Sequence, residues 1–245
     1  MIKLMTLNLN YFGDKHGPWE ARLAQLERVL QRTRPDVAAF QAVCAQPGSA
    51  GGQNQAQQVA AKVRDYAEIW FEPAQRGVDE TLQGSAFIAR VPCTPVAHQE
   101  LPLENNPEDE NQRMLLHARV QRDNEPLELI NAHFSWVPEI NRSNVAAALT
   151  YVQNLAGPAL LLGDLNAPPD GPGMQQLAAA GWTDAWAKLQ PHDPGYTFES
   201  DAPTQRIDYV WANTAAAPRL RAIERLLPED GARLSDHLGL LVTLE

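Results

Sequence analysis

The hydrophobic pattern near the start of the chain predicts a strand, a helix and a second strand. Residues 2–9 are mostly apolar with little alternation, which is typical of a central strand covered on both faces. Residues 18–33 repeat apolar side chains at helical spacing, so they are predicted to form an amphipathic helix. The apolar stripe of this helix consists of Trp19, Leu23, Leu26 and Leu30. A proline then ends the helix, and the segment RPDVAAFQAV predicts a second buried strand.

The rest of the chain mixes short predicted strands with helices. Further helices are predicted from 55 to about 65, over 139–156 and near 172–180. Further strands are predicted at 67–71, 84–90, 113–120, 126–133, 159–162, 206–212, 218–226 and 237–244. Residues 95–112 are acidic and rich in Pro and Asn, so we expect an exposed loop there, and a second long loop is expected after the helix near 172–180. Strands and helices mixed in this way predict a layered α/β fold.

Length and composition are those of an ordinary globular protein. With 245 residues, the chain can form one large domain or two small ones. Hydrophobic residues make up 44% and charged residues 20%, and no apolar run is long enough to cross a bilayer. The N-terminal segment lacks the pattern of a signal peptide, and the two cysteines, Cys44 and Cys93, are too few for a disulfide framework. These features predict a cytoplasmic location.

The formal net charge of −10 narrows the classes of partner. It argues against a protein that coats nucleic acid through many phosphate contacts. It does not exclude a phosphate substrate, because carboxylates that hold a divalent metal contribute to this negative charge and the bound ion inverts the local field.

Several predicted strands end in polar residues. In the segment ALLLGDLNAPPDGPG, a buried-looking strand stops at a glycine and leaves Asp164 and Asn166 where a sheet meets solvent. In α/β sheets, ligands usually bind at that edge. The other polar residues at or near strand ends are Asn8, Asn10, His133, Asp208, Asp236 and His237. Taken singly, each has a structural explanation: a turn, a buried histidine, an ion pair between Asp208 and Arg206, or a cap.

Taken together, these residue types suit the chemistry of phosphoryl groups. An acidic residue beside a histidine, with a second aspartate upstream, supplies a carboxylate that can orient an imidazole. A separate aspartate and asparagine offer hard oxygen ligands for Mg²⁺ or Mn²⁺ and an amide donor for a phosphoryl oxygen. Zinc fits less well, since the chain has no HExxH motif and no cysteine pair. Walker, GxSxG and GxGxxG motifs are also missing from the sequence.

A set of segments in fixed order carries a family resemblance. The segments LMTLNLN, RPDVAAFQAV, GSAFIAR, NAHF, GDLNAPP, RIDYVWAN and LSDHLGLLVTL together resemble the endonuclease/exonuclease/phosphatase superfamily, which contains deoxyribonucleases, abasic-site endonucleases, sphingomyelinases and inositol polyphosphate phosphatases. The resemblance runs from about residue 3 to 244 and implies a single catalytic domain over 1–245. It also implies a four-layer α/β sandwich, with two mainly antiparallel β-sheets flanked by helices.

The resemblance implies a role in metal binding or water activation for three residues. Asn8 would lie beside the metal and help to position Asp164. Asp164 would activate the attacking water. Asp236 would bind the metal directly or through water.

Four further residues are implied to act on the phosphoryl group or to orient a residue that does. His133 would hold a phosphate oxygen, and Asn166 would donate a hydrogen bond to the phosphoryl group. Asp208 would orient His237, which would lie against the scissile phosphate as an acid/base or as an electrostatic stabiliser.

The second motif departs from the family pattern. Members of the family normally have Gln-Glu after the second buried strand, and that glutamate is the principal metal ligand. In this chain Gln41 is followed by Ala42. Either an inactivated protein or a natural variant with a weakened metal site would show this residue, and the sequence does not separate the two.

The residues and the resemblance lead to one main hypothesis and one alternative. The main hypothesis is a Mg²⁺- or Mn²⁺-dependent hydrolase of phosphoester bonds, impaired by Ala42, that acts as a monomer. The alternative is a non-catalytic domain of the same fold that binds phosphorylated ligands. The acidic charge favours a small phosphodiester or a lipid headgroup as substrate, with nucleic acid as a further candidate.

Overall fold

Two six-stranded sheets pack face to face, with helices on their outer sides. The computed structural model describes residues 1–104, 106–121, 125–227 and 232–245. The strands are β1 Ile2–Asn8, β2 Val37–Ala45, β3 Glu68–Arg76, β4 Leu82–Ala89, β5 Cys93–Glu100, β6 Met114–Val120, β7 Leu127–His133, β8 Ala159–Asp164, β9 Thr183–Asp184, β10 Asp208–Ala212, β11 Leu220–Leu226 and β12 Gly239–Leu244. The α-helices are α1 Trp19–Thr33, α2 Gln55–Lys62, α3 Pro138–Val152, α4 Pro172–Ala179 and α5 Ala185–Leu189.

The two sheets have related strand orders. The first sheet runs β11-β12-β1-β2-β4-β3, and the second runs β5-β6-β7-β8-β10-β9. Each sheet contains one parallel pair, β1 with β2 and β7 with β8, while the other paired strands are antiparallel. A helix connects the strands of each parallel pair, α1 in the first sheet and α3 in the second. Parallel neighbours require such a crossover because a tight hairpin cannot join them.

Three clusters of buried apolar residues fill the interfaces between the layers. One lies between the sheets and includes Leu4 and Leu162; a second packs α1 and α2 on the first sheet; a third packs α3 and α4 on the second. The central strands are therefore covered on both faces, which explains why β1 and β8 read as nearly continuous apolar runs. The predicted four-layer α/β sandwich is confirmed.

Local sequence explains where several helices begin. Asn54 and Gln57 form a reciprocal capping box at the start of α2, each side chain accepting a hydrogen bond from the other's backbone N–H. Pro138 and Pro172 stand in the first turns of α3 and α4, where a missing N–H costs nothing. Helix α1 ends at Thr33, and the next residue, Arg34, adopts a left-handed conformation before Pro35.

The expectation of an exposed loop over 95–112 is wrong in two respects. Residues 93–100 form the edge strand β5, whose pairing with β6 shifts register between Pro95 and Ala97. Proline is tolerated at a bulge on an edge strand, so Pro95 concealed the strand in the sequence. Moreover, Asp109 is buried rather than solvated. Residue 105 of this segment lies outside the described residues.

Several predicted boundaries also move. The long loop expected after α4 contains the short elements β9 and α5. Strand β3 continues to Arg76, beyond the predicted 67–71, while the helix predicted over 139–156 ends at Val152. These elements end or begin in stretches with weak periodicity, where pattern alone places boundaries poorly.

Candidate active site

The parallel pairs place the candidate residues at one edge of the sandwich. Strands β1 and β2 of the first sheet end near the ends of β7 and β8 of the second, and a cavity of about 610 Å³ opens between them. Among the predicted residues, those that line it are Asn8, Ala42, His133, Asp164, Asn166, Asp236 and His237. Asp208 is hydrogen-bonded to His237, so all eight predicted site positions come together although they derive from distant segments.

His237 lies among three carboxylates. Its Nδ1 donates to Oδ2 of Asp208 at 2.9 Å, which leaves Nε2 3.7 Å from Oδ2 of Asp164 and 3.9 Å from Oδ1 of Asp236. Burial by itself would lower the pKa of His237, but the three carboxylates outweigh that effect and raise it to about 10. His237 is therefore an imidazolium at neutral pH.

Asp164 is held in one orientation by two donors. Nδ2 of Asn8 donates to its Oδ2 at 2.8 Å, and the backbone N–H of Asn166 donates to its Oδ1 at 3.0 Å. Burial raises the pKa of Asp164 to about 6, aided by the charge of Asp208 and opposed by His237. The alternative pairing of Asp208 with Arg206 does not occur, since the Arg206 guanidinium lies 2.7 Å from Asp184 instead.

A buried arginine, not identified from the sequence, forms the other side of the cavity. Arg113 is 4% exposed, and its Nε and Nη2 donate to the carboxylate of Asp109, which also accepts from the hydroxyl of Ser135. Nη1 of Arg113 lies 2.8 Å from Nε2 of His133. Because a guanidinium can only donate, Nε2 of His133 is the acceptor and carries no proton. The signal in the sequence was weak, since Asp109 stands in the acidic segment predicted as a loop and Arg113 is the first residue of the strand predicted over 113–120.

The two histidines of the cavity consequently differ in charge. Burial, the Arg113 guanidinium and the His237 imidazolium all lower the pKa of His133, to well below its ordinary value of 6.5. His133 is therefore neutral where His237 is charged.

Strained backbone is concentrated around the cavity. Four of its lining residues that are not glycine have a positive φ: Asn10 at 51°, Tyr11 at 46°, Ala42 at 50° and Asn166 at 51°. Such conformations cost energy and persist where the surroundings impose them, often at functional sites. Ala42 sits in the irregular pairing between β2 and β4 and lines the cavity.

The donor chemistry fits a hard divalent cation. Ligand oxygens of Asp164 and Asp208 lie within 4.8 Å of each other beside His237, and Asp236 adds a further carboxylate nearby. Among the described residues, Oδ1 of Asp208 is buried and has no hydrogen-bond partner. Carboxylate oxygens are the ligands that Mg²⁺ and Mn²⁺ prefer, so these side chains can hold such an ion. Position 42 contributes no side-chain ligand.

Comparisons with known proteins agree with this architecture. A model of the Endonuclease/Exonuclease/phosphatase family matches residues 5–237. The chain belongs to the endonuclease/exonuclease/phosphatase family, which includes nucleases and phosphatases. Enzymes of this family are typically dependent on divalent metals. No curated protein matches the sequence significantly.

Solved structures share the fold at low identity. A family protein from Leptotrichia buccalis C-1013-b superposes with a TM-score of 0.80 at 18% identity, over 100% of both chains. One from Beutenbergia cavernae DSM 12333 gives 0.79 at 23% identity, over 98% of this chain and 70% of that one. An AP endonuclease from Archaeoglobus fulgidus gives 0.72 at 17% identity, over 100% of both chains. At these identities the likeness shows the fold alone.

The length and apolar character of the helices bear on whether the chain can span a membrane. Across the ranges that the structure describes, none is long and apolar enough to span a membrane. The cytoplasmic location stays a prediction.

Proposed function

We propose that this chain hydrolyses phosphoester bonds with the help of Mg²⁺ or Mn²⁺, and that residues 1–245 act as a single, monomeric catalytic domain. The observation that carries the proposal is the arrangement of Asp208, His237 and Asp164 at the cavity. Asp208 holds the imidazole through Nδ1 and leaves Nε2 beside Asp164. An imidazolium next to a carboxylate with a raised pKa is a pair of groups suited to acid and base roles.

Asp164 is the proposed base for the attacking water. Its pKa of about 6 brings it closer to neutrality than a free carboxyl while it remains ionised at pH 7. Asn8 and the backbone of Asn166 hold the carboxylate still, so the water meets it in one orientation. His237, as an imidazolium, donates from Nε2 to the phosphoryl group and can protonate the leaving oxygen.

Arg113 provides a second positive charge for the phosphoryl oxygens. Its Nε and Nη2 are committed to Asp109 and one Nη1 proton to His133, while the second Nη1 proton remains for the substrate. We therefore propose that His133 acts on the phosphate by holding this guanidinium. Nδ2 of Asn166 donates to the backbone of Phe134, and its second proton is the proposed donor to the phosphoryl group.

A bound Mg²⁺ or Mn²⁺ would supply charge neutralisation at the phosphoryl oxygens. Asp236, the amide oxygen of Asn8 and the carboxylates beside His237 are the groups that would hold it. Ala42 removes one carboxylate from this set, so we propose that metal binding and turnover are weaker than in a chain with glutamate there.

A second candidate function follows from the same residue. Because Ala42 offers no ligand, the cavity could bind phosphorylated molecules through Arg113 and His237 without cleaving them. Turnover of bis(4-nitrophenyl) phosphate with Mg²⁺ or Mn²⁺, compared with phosphate binding in chelator, separates the two functions. Metal-dependent turnover supports the hydrolase; binding in chelator with no turnover under any metal supports the binding domain.

We propose a small phosphodiester or a lipid headgroup as the substrate, in preference to nucleic acid. The net charge of −10 opposes many contacts with a polyanion. Affinity for a DNA oligonucleotide, measured at several salt concentrations, tests this preference. A steep loss of affinity with salt would indicate many phosphate contacts and would favour nucleic acid instead.

A further inference from the structure

Tyr11 lines the cavity, and its hydroxyl forms no hydrogen bond with any residue that the structure describes. The chain has five tyrosines. Three hydroxyls are engaged: that of Tyr66 donates to a backbone carbonyl, that of Tyr209 does the same, and that of Tyr151 lies 2.8 Å from a histidine nitrogen. Tyr196 is exposed to solvent. Within the described residues, the half-buried Tyr11 has no hydrogen-bond partner for its hydroxyl, whereas shielded tyrosine hydroxyls usually find one.

The backbone at Tyr11 is held in a strained conformation by buried groups. Its φ of 46° follows the 51° of Asn10, so two successive residues adopt the left-handed region. The Tyr11 N–H donates to the carbonyl of Ala42 at 2.8 Å. The Tyr11 carbonyl accepts from Nη2 of Arg22 at 2.9 Å and from Nε2 of Gln55 at 2.5 Å.

These anchoring side chains are themselves inaccessible. Arg22 is 1% exposed and Gln55 is fully buried. Nη1 of Arg22 also donates to the carbonyl of Leu9, so one buried guanidinium clamps both sides of the strained turn. Buried polar groups therefore impose the strained backbone conformation of Tyr11. This conformation fixes the position of Tyr11 at the lining of the cavity.

Tyr11 lies close to Arg113, on the basic side of the cavity. Burial raises the pKa of the Tyr11 hydroxyl, and the strongest opposing influence is the charge of Arg113. The hydroxyl therefore remains protonated at neutral pH and can donate. The same residue lines a smaller crevice with Arg113 and His133, so it is a neighbour of the guanidinium that carries the free Nη1 proton.

We propose that Tyr11 is a further catalytic residue, whose hydroxyl donates a hydrogen bond to a non-bridging oxygen of the phosphoryl group that Arg113 binds. This inference rests on the proposed function and adds a neutral donor from the loop between β1 and α1. The oxygen would then receive a charged donor from Arg113, which precedes β6, and a neutral donor from Tyr11, which follows β1. The phenol contributes a hydrogen bond only; no proton leaves it.

Tyr11→Phe tests the proposal, because it removes the hydroxyl and keeps the ring. The matched control is Tyr196→Phe, which removes an exposed hydroxyl outside the cavity. We measure the Kd for inorganic phosphate by calorimetry in chelator, kcat/KM for bis(4-nitrophenyl) phosphate with Mg²⁺, and the unfolding temperature. A hydrogen bond to a charged oxygen predicts about a tenfold rise in the phosphate Kd and a similar fall in kcat/KM for Tyr11→Phe alone. The unfolding temperature should not change, since the hydroxyl has no partner to lose.

Each outcome decides between the two proposals. A raised Kd with unchanged stability supports the role of Tyr11 even if the wild-type chain turns over no phosphodiester, a result that would refute only the hydrolase. An unchanged Kd and kcat/KM in Tyr11→Phe would overturn the role of Tyr11 and leave the hydrolase standing. A lowered unfolding temperature with an unchanged Kd would make Tyr11 structural, and a wild-type chain that binds no phosphate would overturn the anion site as a whole.

Discussion

Among the residues that the structure describes, two buried histidines are hydrogen-bonded to a carboxylate, one at the cavity and one in the core of the second sheet. At the cavity, Nδ1 of His237 lies 2.9 Å from Asp208. In the core, between the second sheet and α3, Nε2 of His117 lies 2.7 Å from Glu128. The two pairs have similar geometry and similar burial. Their pKa shifts nevertheless run in opposite directions, upward for His237 and downward for His117.

The surroundings of each pair explain the difference. His237 faces Asp164 and Asp236 as well as Asp208, and these charges outweigh the cost of burial. Burial is the largest influence on His117, and its single carboxylate is shared with Arg119. The hydroxyl of Tyr151 lies 2.8 Å from the other nitrogen of His117 and closes it off. In this protein, the histidine–carboxylate pair that makes a candidate catalytic unit is the one with further carboxylates and an open cavity beside it.

Removing the carboxylate of the cavity pair should have the largest effect. Asp208→Asn keeps the side chain's shape but removes the negative charge that orients His237 and raises its pKa. We expect kcat for bis(4-nitrophenyl) phosphate to fall by about 10²–10⁴-fold, measured in the Ala42→Glu background if the wild-type rate is low. Glu128→Gln, the matched change in the core pair, should leave kcat unaltered. Equal losses in both variants would show that the comparison has no functional content.

Adding a carboxylate to the cavity should have the next largest effect. The backbone of Ala42 is already left-handed, and alanine already has the Cβ that makes this conformation unfavourable. Ala42→Glu therefore adds no new backbone strain. Loss of a group that merely supports a metal ligand costs about 10–100-fold, so restoring a ligand should strengthen Mg²⁺ binding and turnover by at least about that factor. Calorimetry and turnover on one preparation measure both. Ala42→Gln is the uncharged control, and a Gln variant that matched the Glu variant would contradict the assignment of this position.

The core pair should matter for stability instead. Glu128→Gln weakens the hydrogen bonds with His117 and Arg119 inside the sheet. The expected loss in the free energy of unfolding is about 1–3 kcal/mol, measured by urea denaturation with circular dichroism. A variant as stable as the wild-type chain but lower in turnover would reverse the roles assigned to the two pairs.

The pH dependence of stability should show the opposite signs of the two shifts. The pKa of folded His117 lies below its unfolded value of 6.5, so stability attributable to it is complete above that pH and is lost as the pH falls below it. The pKa of His237 is raised to about 10, so its contribution is complete below pH 6.5 and is lost as the pH rises through 10.

Two variants separate these contributions. In metal-free protein, His117→Gln should flatten the loss of stability between pH 7 and 5, and His237→Gln should flatten the loss between pH 7 and 10. Urea midpoints across this range provide the measurement. Slopes that respond to the wrong histidine would refute the assignment of a neutral His117 and a charged His237.

The sequence predicted elements well where burial is uniform and poorly where it is not. Strands β1, β2 and β8 are covered on both faces, so their apolar runs identified them. Strand β5 is an edge strand with a bulge at Pro95, and its exposed residues resembled a loop. The two-residue strand β9 is too short to show a period.

The candidate site could likewise be predicted only in part from the sequence. Asp164 and His133 could be proposed because each follows an apolar strand and falls in a segment typical of the family. Asp109 could not, because it stands in a charged, proline-rich stretch that looks exposed, and Arg113 could not, because a charged residue at the start of a predicted strand looks like a surface residue. Their burial follows from packing against Ser135 and His133, which lie in another part of the chain. Tyr11 was missed for a similar reason, as its strained backbone depends on Arg22 and Gln55.

By itself, the sequence determined the order of most strands and helices, the family resemblance and the absence of a glutamate after Gln41. These properties depend on residue type and on short-range periodicity, which a linear chain displays directly. Only the tertiary structure decided which histidine is charged, which arginine faces the cavity and where a tyrosine hydroxyl is left free. Those properties depend on burial and on distances of a few ångströms between groups far apart in the chain. Electrostatic energy varies steeply with both quantities, so they exist only once the two sheets have packed together.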